Sequence, residues 1–411
     1  MEEGKEPVLY HGGNIPINGP IHWGSVSKQF TAACIDTLVK QGKIKYDDDI
    51  RKLCPDLPEL KLNGLVQKVT VDDLLHMRSG LPEVWGTALM KGQDAEKLEN
   101  TTLLGLFNEH PGMVFAPEAQ FMYCNTNYYV LAKIVEDVSG RPFPDFVREE
   151  VLHPLQMEAR CSIDPSSHPT MPGYELDYKE SLWKDVTSTN KTYGTTGLIG
   201  PPGDMIAWNT SMARREYDLL EPPKKRDPTE SNYCRGVVID YVDDYTVISH
   251  GGALSGANTI YRRYEHDKDP NKTFAIFLAT NADFIPAAEA TANKVANAIA
   301  DKDLSLPQQQ AQALPKRIAT QDEIQPFCGR FRCRELGSEW LMKEEDLKGN
   351  WGLCMTPPDG GPFPKWIFTP QIRDEQSIFK SDGYGNPILE PTHTGFIVHC
   401  DNIAPLHFDR Y

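Results

Sequence analysis

Apolar residues recur with helical spacing along the N-terminal part of the chain. Over residues 25–41 they repeat every four positions, at Val26, Phe30, Cys34 and Leu38. Gly42 follows and suits the C-terminal end of a helix, so the pattern predicts a helix over 25–41. Similar stretches predict further helices at 71–77, 126–138, 144–152, 203–213 and 286–301.

The pattern changes near residue 234. Short β-branched and aromatic runs between turn residues predict an antiparallel sheet, with strands at 234–240, 244–249, 256–263 and 273–280. Residues 159–195 are rich in Pro, Ser, Gly and Asp and predict a loop, whereas the polar residues 302–326 predict a linker. Short strand-like runs without a clear helix follow. The prediction is an α+β fold with one domain over 1–301 and a small all-β domain over 327–411.

The composition narrows the class of protein. Of 411 residues, 40% are apolar and 24% charged, the balance of a soluble protein long enough for two domains. A net charge of −16 argues against nucleic acids and anionic membranes as partners. We find no apolar run long enough for a bilayer and no secretory signal at the N-terminus. Nine scattered cysteines lack zinc-site spacing, so we expect a cytoplasmic protein with reduced thiols, no metal and no other cofactor.

An S-x-x-K element spans residues 25–28 and opens the first predicted helix. Positions three apart share a helix face, so the Lys28 amine can reach the Ser25 hydroxyl and, when desolvated and neutral, take its proton. The alternative is that Ser25 only caps the helix while Lys28 is solvated. The spacing occurs three more times, at Ser181/Lys184, Ser188/Lys191 and Ser377/Lys380. Only the first copy follows a Trp-Gly step and begins a strongly periodic helix.

A Tyr-x-Asn element, Tyr123-Cys124-Asn125, lies just before the predicted helix 126–138. A tyrosine beside the Ser/Lys pair can relay a proton to a leaving group, and an amide can orient a substrate carbonyl. The alternative is a half-buried tyrosine at a loop–helix junction. The spacing recurs at Tyr384/Asn386, in the predicted β domain.

A His-Gly-Gly element at His250, Gly251 and Gly252 ends a strand-like run. Glycines there would let a substrate lie against the strand edge and would expose backbone N–H groups to an oxyanion. A structural histidine at a strand end is the alternative. His-x-Gly also occurs at His11, His22, His110 and His393.

Taken in order, these elements resemble a known family. The matching segments are GSVSKQFTA at 24–32, KIKYDDDIRKLCPDLP at 43–58, VTVDDLLHMRSGLP at 69–82, MYCNTNYYVLAKIVEDVSGRPF at 122–143, GTTGLIGPPGDMIAW at 194–208, and SHGGALSGANT with FAIFLATN. They resemble the class C β-lactamase, D-aminopeptidase and esterase branch of the serine β-lactamase-related and penicillin-binding proteins. Residues 327–411 are similar to the lipocalin-like β-barrel of some members. The implied fold is an antiparallel sheet flanked by helices, with a helical subdomain and the site in the cleft between them.

The resemblance implies a role for each motif residue. Ser25 would be the acyl-accepting nucleophile and Lys28 its proton partner, with Tyr123 and Asn125 as the tyrosine and asparagine of the family motif. His250 would stand in place of the lysine of the Lys-Thr-Gly motif, as in aminopeptidase and esterase members. The implied oxyanion hole consists of the backbone N–H groups of Ser25 and Ala253, reached past Gly252 on the strand edge.

Two departures from the family pattern are visible. Family members carry a helix and a β-hairpin before the nucleophile, but only 24 residues precede Ser25 here. We therefore expect the first strand and its helix to be absent, KEPVLYHGG to be a remnant of the second strand, and the sheet to have an exposed edge. Arg78 stands where a small threonine is usual.

Three functions are compatible with this pattern. The first is a serine hydrolase that forms an acyl-enzyme with an amide, ester or lactam carbonyl of a small molecule or short peptide. The second passes the acyl group to an alcohol or amine, as an acyltransferase, and the third is a catalytically silent binding protein. Action on β-lactam antibiotics is not favoured, because a mostly neutral His250 would replace the lysine that pairs with the drug carboxylate.

Overall fold

The computed structural model describes most of the chain. The described residues are 6–13, 16–163, 170–177, 182–225, 231–282, 285–306, 319–346, 351–358, 366–373, 376–381, 387–392, 394–399 and 405–411. They form two compact units, the first from residues 1–80, 99–101 and 115–307 and the second from 81–98, 102–114 and 308–411. Within the described segments, no helix has the length and apolar composition of a membrane span.

The first unit contains both helices and short strands. The helices are α1 (Ser27–Lys40), α2 (Ile50–Leu53), α3 (Val71–Leu75), α4 (Val84–Met90), α5 (Asn100–Glu109), α6 (Asn125–Ser139), α7 (Phe143–Val147), α8 (Asp204–Ala213), α9 (Ile285–Ala300) and α10 (Gln321–Ile324). The strands of the first unit are β1 (Ile21–His22), β2 (Lys61–Leu62), β3 (Leu65–Val66), β4 (Arg160–Cys161), β5 (Tyr174–Asp177), β6 (Leu182–Asp185), β7 (Leu198–Gly200), β8 (Val238–Val242), β9 (Tyr245–Leu254), β10 (Ala257–His266) and β11 (Phe274–Thr280). A 3₁₀ turn, Gly24–Val26, leads into α1.

The main sheet of the first unit is antiparallel, with the strand order β11-β10-β9-β8. Its core includes Tyr245, Val247, Tyr264 and Phe274, against which Ala296 of α9 packs. The predicted antiparallel sheet flanked by helices is therefore confirmed.

The helix α1 follows its apolar period. The four periodic residues are fully buried: Val26, Phe30, Cys34 and Leu38. The Phe30 ring packs on Trp208 of α8, with ring centroids 4.2 Å apart, and on Trp23 at 5.3 Å. Burying a whole helix face in this way contributes more to its stability than helix propensity does.

The described residues before Ser25 add no strand to the main sheet. Residues 6–13 have no regular secondary structure, and β1 pairs instead with β7 in a separate small sheet. Among the described residues, β11 and β8 are the edge strands of the main sheet.

Two sequence-based predictions were wrong in detail. The segment 159–195 is not a loop throughout, because it contains β4 and the antiparallel hairpin of β5 and β6. The predicted strand 234–240 begins only at Val238. Before it, Gly236 has φ +81° and the chain makes a tight turn in which the Cys234 N–H donates to the Val237 carbonyl (2.8 Å).

The second unit contains a closed barrel of eight antiparallel strands, which confirms the predicted all-β domain. The strands are β12 (Gly329–Cys333), β13 (Glu339–Asp346), β14 (Trp351–Thr356), β15 (Trp366–Arg373), β16 (Gln376–Lys380), β17 (Ile388–Pro391), β18 (Gly395–His399) and β19 (Leu406–Arg410). Each pairs with the next, and β12 pairs with β19. Buried side chains fill the interior, among them Phe331, Trp340, Met355, Phe396 and Phe408. The α4 residue Met90 joins this core, and its carbonyl accepts a hydrogen bond from Trp340 Nε1 (3.1 Å).

A buried ion pair ties the turn before β8 to α3. The Arg235 guanidinium, 5% exposed, donates to Asp72 Oδ1 (3.1 Å), lies 3.6 Å from the Tyr46 ring centroid, and pairs with Asp218. Replacing Arg235 by methionine would leave the Asp72 carboxylate buried with weaker partners, so Arg235→Met should lower the free energy of unfolding by about 3 kcal/mol. Arg214, 70% exposed and 3.6 Å from Glu216, is the matched control; Arg214→Met should change stability by less than about 1 kcal/mol.

Urea unfolding of both variants measures this difference. Burial alone would raise the pKa of Asp72, but His76 and Arg235 outweigh it and lower the pKa. Because the pKa of Asp72 is lower in the folded than in the unfolded protein, the ionised carboxylate stabilises the fold at pH values above the ordinary carboxyl pKa. This contribution to the free energy of unfolding is lost as the pH falls through the lowered pKa of the folded state. Equal losses for Arg235→Met and Arg214→Met would contradict the prediction.

Candidate active site

Ser25 lies in the 3₁₀ turn at the start of α1 and is partly exposed. The preceding residue, Gly24, has φ +53°, which glycine adopts without a steric penalty. A Cβ on Gly24 would lie 2.6 Å from the Ala253 nitrogen, so a side chain here would push β9 away from the serine. The N-terminal end of the helix also favours negative charge at the Ser25 oxygen.

Lys28 is fully buried, one turn after the serine. Its Nζ lies 2.9 Å from Ser25 Oγ, 2.8 Å from Asn125 Oδ1 and 3.1 Å from the Thr195 carbonyl oxygen. Burying an amine without partners is costly, and these three acceptors offset that cost. The alternative of a solvated lysine is therefore wrong, and the amine is within reach of the serine proton.

The Tyr-x-Asn element lies against the same amine. Asn125 is the first residue of α6, and its Oδ1 accepts hydrogen bonds from Lys28 Nζ and from Thr195 Oγ1 (2.6 Å). The Tyr123 ring centroid is 5.0 Å from Lys28 Nζ, close enough for a cation–π contact. The structure thus brings the predicted residues Ser25, Lys28, Tyr123 and Asn125 together.

His250 is buried in β9 on the other side of Tyr123, with ring centroids 6.2 Å apart. Its Nδ1 is 2.6 Å from the Gly251 carbonyl oxygen, and its Nε2 is 3.1 Å from the Tyr233 hydroxyl oxygen. Burial, and next the positive charge of Lys28, lower the pKa of His250 to about 3. The imidazole is therefore neutral at physiological pH.

The backbone of β9 passes directly beside the serine. A Cβ on Gly252 would lie 2.1 Å from the Trp23 carbonyl oxygen and 3.0 Å from the Ser25 nitrogen. In the described segments β8 pairs with β9 over Tyr245–Ser249, so the edge of β9 from His250 onward extends beyond it. The backbone nitrogens of Ser25 and Ala253 consequently belong to two facing segments, where N–H groups can meet a substrate oxygen.

Three residues of the site were not predicted. The Thr195 carbonyl oxygen accepts a hydrogen bond from Lys28, and its hydroxyl donates one to Asn125. The only sequence signal near Thr195 was the pair of glycines Gly194 and Gly197, which adopt φ +90° and +93° in the structure. Tyr233 has no sequence motif. Met77, with φ +57°, accepts the Cys124 N–H at its sulfur (3.4 Å) beneath the Tyr-x-Asn turn.

Arg78 ties together the segment that leads to Tyr123. Its guanidinium donates to the Glu118 carbonyl oxygen (3.2 Å), and the Glu118 N–H donates to the Arg78 carbonyl oxygen (2.8 Å). Arg78, which stands where a threonine is usual, therefore makes hydrogen bonds to the backbone of the segment that leads to Tyr123.

The rival motif copies have other surroundings or lie outside the described residues. Lys191 is half exposed and lies 3.8 Å from Glu99, His11 is exposed, and His110 belongs to the second unit. His22 is buried, and burial lowers its pKa to about 4. Outside the described residues lie Ser181, Tyr384, Asn386 and His393, together with the side chain of Ser377.

Comparison with known proteins relates this geometry to a family. The family model described as Beta-lactamase matches residues 3–300. The chain is 27% identical over 247 residues to a D-aminopeptidase from Brucella anthropi and 25% identical over 277 residues to penicillin-binding protein 4* from Bacillus subtilis (strain 168). These alignments cover 56% and 61% of this chain, but it spans only 45% and 59% of the two relatives.

Solved structures show the same fold. The octameric penicillin-binding protein homologue from Pyrococcus abyssi aligns with a TM-score of 0.61 at 18% identity, over 95% of this chain and 89% of that chain. The D-amino acid amidase from Ochrobactrum anthropi SV3 in complex with L-phenylalanine aligns with a TM-score of 0.53 at 19% identity, over 69% and 85%. With a family model that spans more than half of its residues and a matching fold, the chain belongs to the Beta-lactamase family of serine hydrolases.

Proposed function

We propose that the protein is a serine hydrolase that cleaves an amide or ester bond of a small molecule or short peptide through an acyl-enzyme. One observation carries the proposal: Lys28 Nζ, fully buried, lies 2.9 Å from Ser25 Oγ at a helix N-terminus. Serine is a poor nucleophile unless a neighbouring base takes its proton, and a desolvated amine at hydrogen-bond distance is such a base. Membership in the family supports the same class of reaction.

Acylation would proceed by attack of Ser25 Oγ on the substrate carbonyl carbon. As the O–C bond forms, the serine proton passes to Lys28, and the carbonyl electrons move onto oxygen. The Ser25 and Ala253 N–H groups would stabilise this oxyanion, which preorganised donors do without reorganisation. When the oxyanion collapses, the bond to the amine or alcohol breaks, and that group leaves with a proton relayed through Tyr123.

Deacylation would use water as the second nucleophile. The same base takes a proton from water, the hydroxide oxygen bonds to the acyl carbon, and the Ser25 oxygen leaves with a proton. The products are a carboxylic acid and free enzyme. An alcohol or amine in place of water would give acyl transfer with the same residues, so the two reactions are separated by their products.

The neutral His250 favours substrates that carry no carboxylate beside β9. A cationic side chain there would pair with such a carboxylate, whereas an imidazole with a pKa of about 3 does not at neutral pH. Amides and esters are therefore preferred to β-lactam antibiotics. The names of the similar D-aminopeptidase and D-amino acid amidase support amide substrates.

Intact-mass spectrometry tests the proposal. The protein is mixed with p-nitrophenyl butyrate, D-alanine p-nitroanilide or benzylpenicillin, quenched in acid and digested. We expect one acyl group per chain from the ester or anilide, located on the peptide that contains Ser25, together with release of nitrophenol or nitroaniline. Turnover with the acyl group located on another residue, or well-folded protein without adduct or turnover, would contradict the proposal. An added alcohol or amine that becomes acylated would identify a transferase.

A further inference from the structure

Tyr233 is a fully buried aromatic residue between two residues of the proposed active site. Its ring meets the Tyr123 ring edge to face, with centroids 5.9 Å apart, and the His250 ring in the same manner at 5.7 Å. It therefore contacts both the proposed proton relay and the histidine on the sheet edge, whose own ring centroids are 6.2 Å apart. No motif and no comparison assigns it a role.

The hydrogen bonds of His250 define its tautomer. The Gly251 carbonyl oxygen, 2.6 Å from Nδ1, can only accept, so Nδ1 carries the proton. In a neutral imidazole Nε2 is then an acceptor. The Tyr233 hydroxyl, 3.1 Å away, can then donate to Nε2, although it is also hydrogen-bonded to Tyr128. An imidazolium would need to donate from Nε2, and the Tyr233 hydroxyl would then have to turn and accept that hydrogen bond.

The position of Tyr233 is fixed from behind. It forms a β-bridge with Val238, and the intervening Gly236 packs so closely on α1 that a Cβ would lie 2.9 Å from the Lys28 carbonyl oxygen. Arg235, two residues on, is held by its buried pair with Asp72. The phenol is thus anchored to the elements that carry Lys28 and His250 and has little freedom to move away.

The charges around this pair favour the neutral histidine. Lys28 faces His250 from α1, and Tyr123 faces it from the loop before α6. Tyr128 and Cys234 face Tyr233 from α6 and from its own turn. Burial is the main cause that keeps the imidazole neutral, and a protonated Lys28 would add to it. Burial raises the pKa of Tyr233 well above its ordinary value, so its hydroxyl keeps the proton that it donates.

We propose that Tyr233 is a positioning residue that holds His250 in the neutral Nδ1–H tautomer and so selects substrates with an uncharged group beside β9. The proposed selection of substrates rests on the proposed hydrolase function, whereas the proposed tautomer of His250 does not. The expected substrates are amides and esters whose group nearest His250 is neutral, and a carboxylate at that place is disfavoured.

Nitrogen-15 NMR of histidine-labelled protein tests the tautomer without any substrate. The His250 resonances are assigned by their loss in His250→Gln. We expect Nδ1 to be protonated and Nε2 to show the shift of a hydrogen-bonded acceptor in the wild type. In Tyr233→Phe the Nε2 shift should move, and the pKa of His250 should rise by about one unit, because a donor to the neutral form is lost. A protonated Nε2 in the wild type, or unchanged shifts in Tyr233→Phe, would overturn the assignment.

Tyr261→Phe is the matched control. Tyr261 is also fully buried, and its hydroxyl donates to Asn209 Oδ1 (3.2 Å) rather than to His250. The Tyr261→Phe substitution removes a similar buried hydroxyl. Its melting temperature should therefore be close to that of Tyr233→Phe, whereas the nitrogen-15 shifts of His250 should stay as in the wild type. A change of the His250 shifts in both variants would mean a general loosening and would count against a specific role of Tyr233.

Selectivity is measured with two phenyl butyrates whose leaving groups differ only in a para carboxylate or a para carboxamide. Taking the ratio of their kcat/KM values cancels the titration of the shared groups. Between pH 8 and 5 the wild-type ratio should stay flat in favour of the carboxamide. In Tyr233→Phe the relative rate of the carboxylate should rise by about twofold at pH 5, because about a tenth of His250 is then protonated, against about a hundredth in the wild type, and an ion pair worth about tenfold acts only in that tenth.

The two measurements separate the possible failures. A confirmed tautomer with an unchanged ratio would overturn the selection of neutral substrates and leave hydrolysis intact. A confirmed tautomer with no turnover of either ester would count against the proposed function instead.

Discussion

Replacing Ser25 by alanine should lower kcat by about a million-fold, the loss seen when the nucleophile of a serine hydrolase is removed. The acyl-enzyme cannot form without Oγ, and no covalent adduct should appear in intact-mass spectra. The fold should persist, because the lost hydroxyl is one of three acceptors of Lys28 Nζ and the other two, Asn125 Oδ1 and the Thr195 carbonyl, remain. We expect a change in unfolding free energy of about 1 kcal/mol or less.

Ser188→Ala is the matched control for this substitution. Ser188 begins another S-x-x-K copy and is buried, but its Oγ accepts the Asn190 N–H (3.3 Å) and its partner Lys191 faces Glu99. This variant should turn over the same ester or anilide within a few-fold of the wild type. Residual turnover in Ser25→Ala above a hundredth of wild type, in protein freed of contaminating hydrolase, would show that another group forms the acyl-enzyme.

Local sequence was enough to predict the scaffold of the site. The apolar residues of 25–41 predicted α1 because their spacing of four is a local pattern, even though the polar residues between them are buried as well. Strands β9, β10 and β11 were predicted for the same reason, from short β-branched runs between turns. The order of the motifs then predicted which serine, tyrosine and histidine would meet.

The environment of these groups could not be predicted from sequence. Whether Lys28 is buried or solvated depends on Asn125 and Thr195, which are 97 and 167 residues away in the chain. Neither residue changes the local pattern around the lysine. The tautomer of His250 likewise depends on Tyr233, which lies in a turn without periodicity. Tertiary contacts of this kind decide the chemistry, and they leave no trace in a window of neighbouring residues.

The same limit applies to the grouping of α4. Its residues 84–90 lie between motif segments of the first unit, yet Leu89 and Met90 are part of the core that the barrel strands form. Trp340, the partner of the Met90 carbonyl, is 250 residues away. The apolar face of a short helix indicates that it will be buried, but not which part of the chain will cover it. Sequence pattern alone therefore could not assign α4 to the second unit.

Lys28→Met should lower kcat/KM by about a thousand-fold or more, at the upper end of what general-base catalysis contributes. Methionine keeps the length and volume of the side chain but offers Ser25 no acceptor for its proton. Asn125 Oδ1 would still accept the Thr195 hydroxyl (2.6 Å). Since a buried amine is replaced by an apolar group of similar size, the melting temperature should not fall.

Lys40→Met, at the far end of the same helix, is the matched control. Lys40 is about half exposed but pairs at 2.7 Å with Asp36, whose carboxylate is buried, so its loss should lower the stability while leaving turnover unchanged. The comparison separates chemistry from folding: a base role for Lys28 requires lost turnover with retained stability. If Lys28→Met instead kept turnover within tenfold of the wild type, the buried amine would be only a structural partner of Asn125. The proton of Ser25 would then have to pass to another group, such as Tyr123.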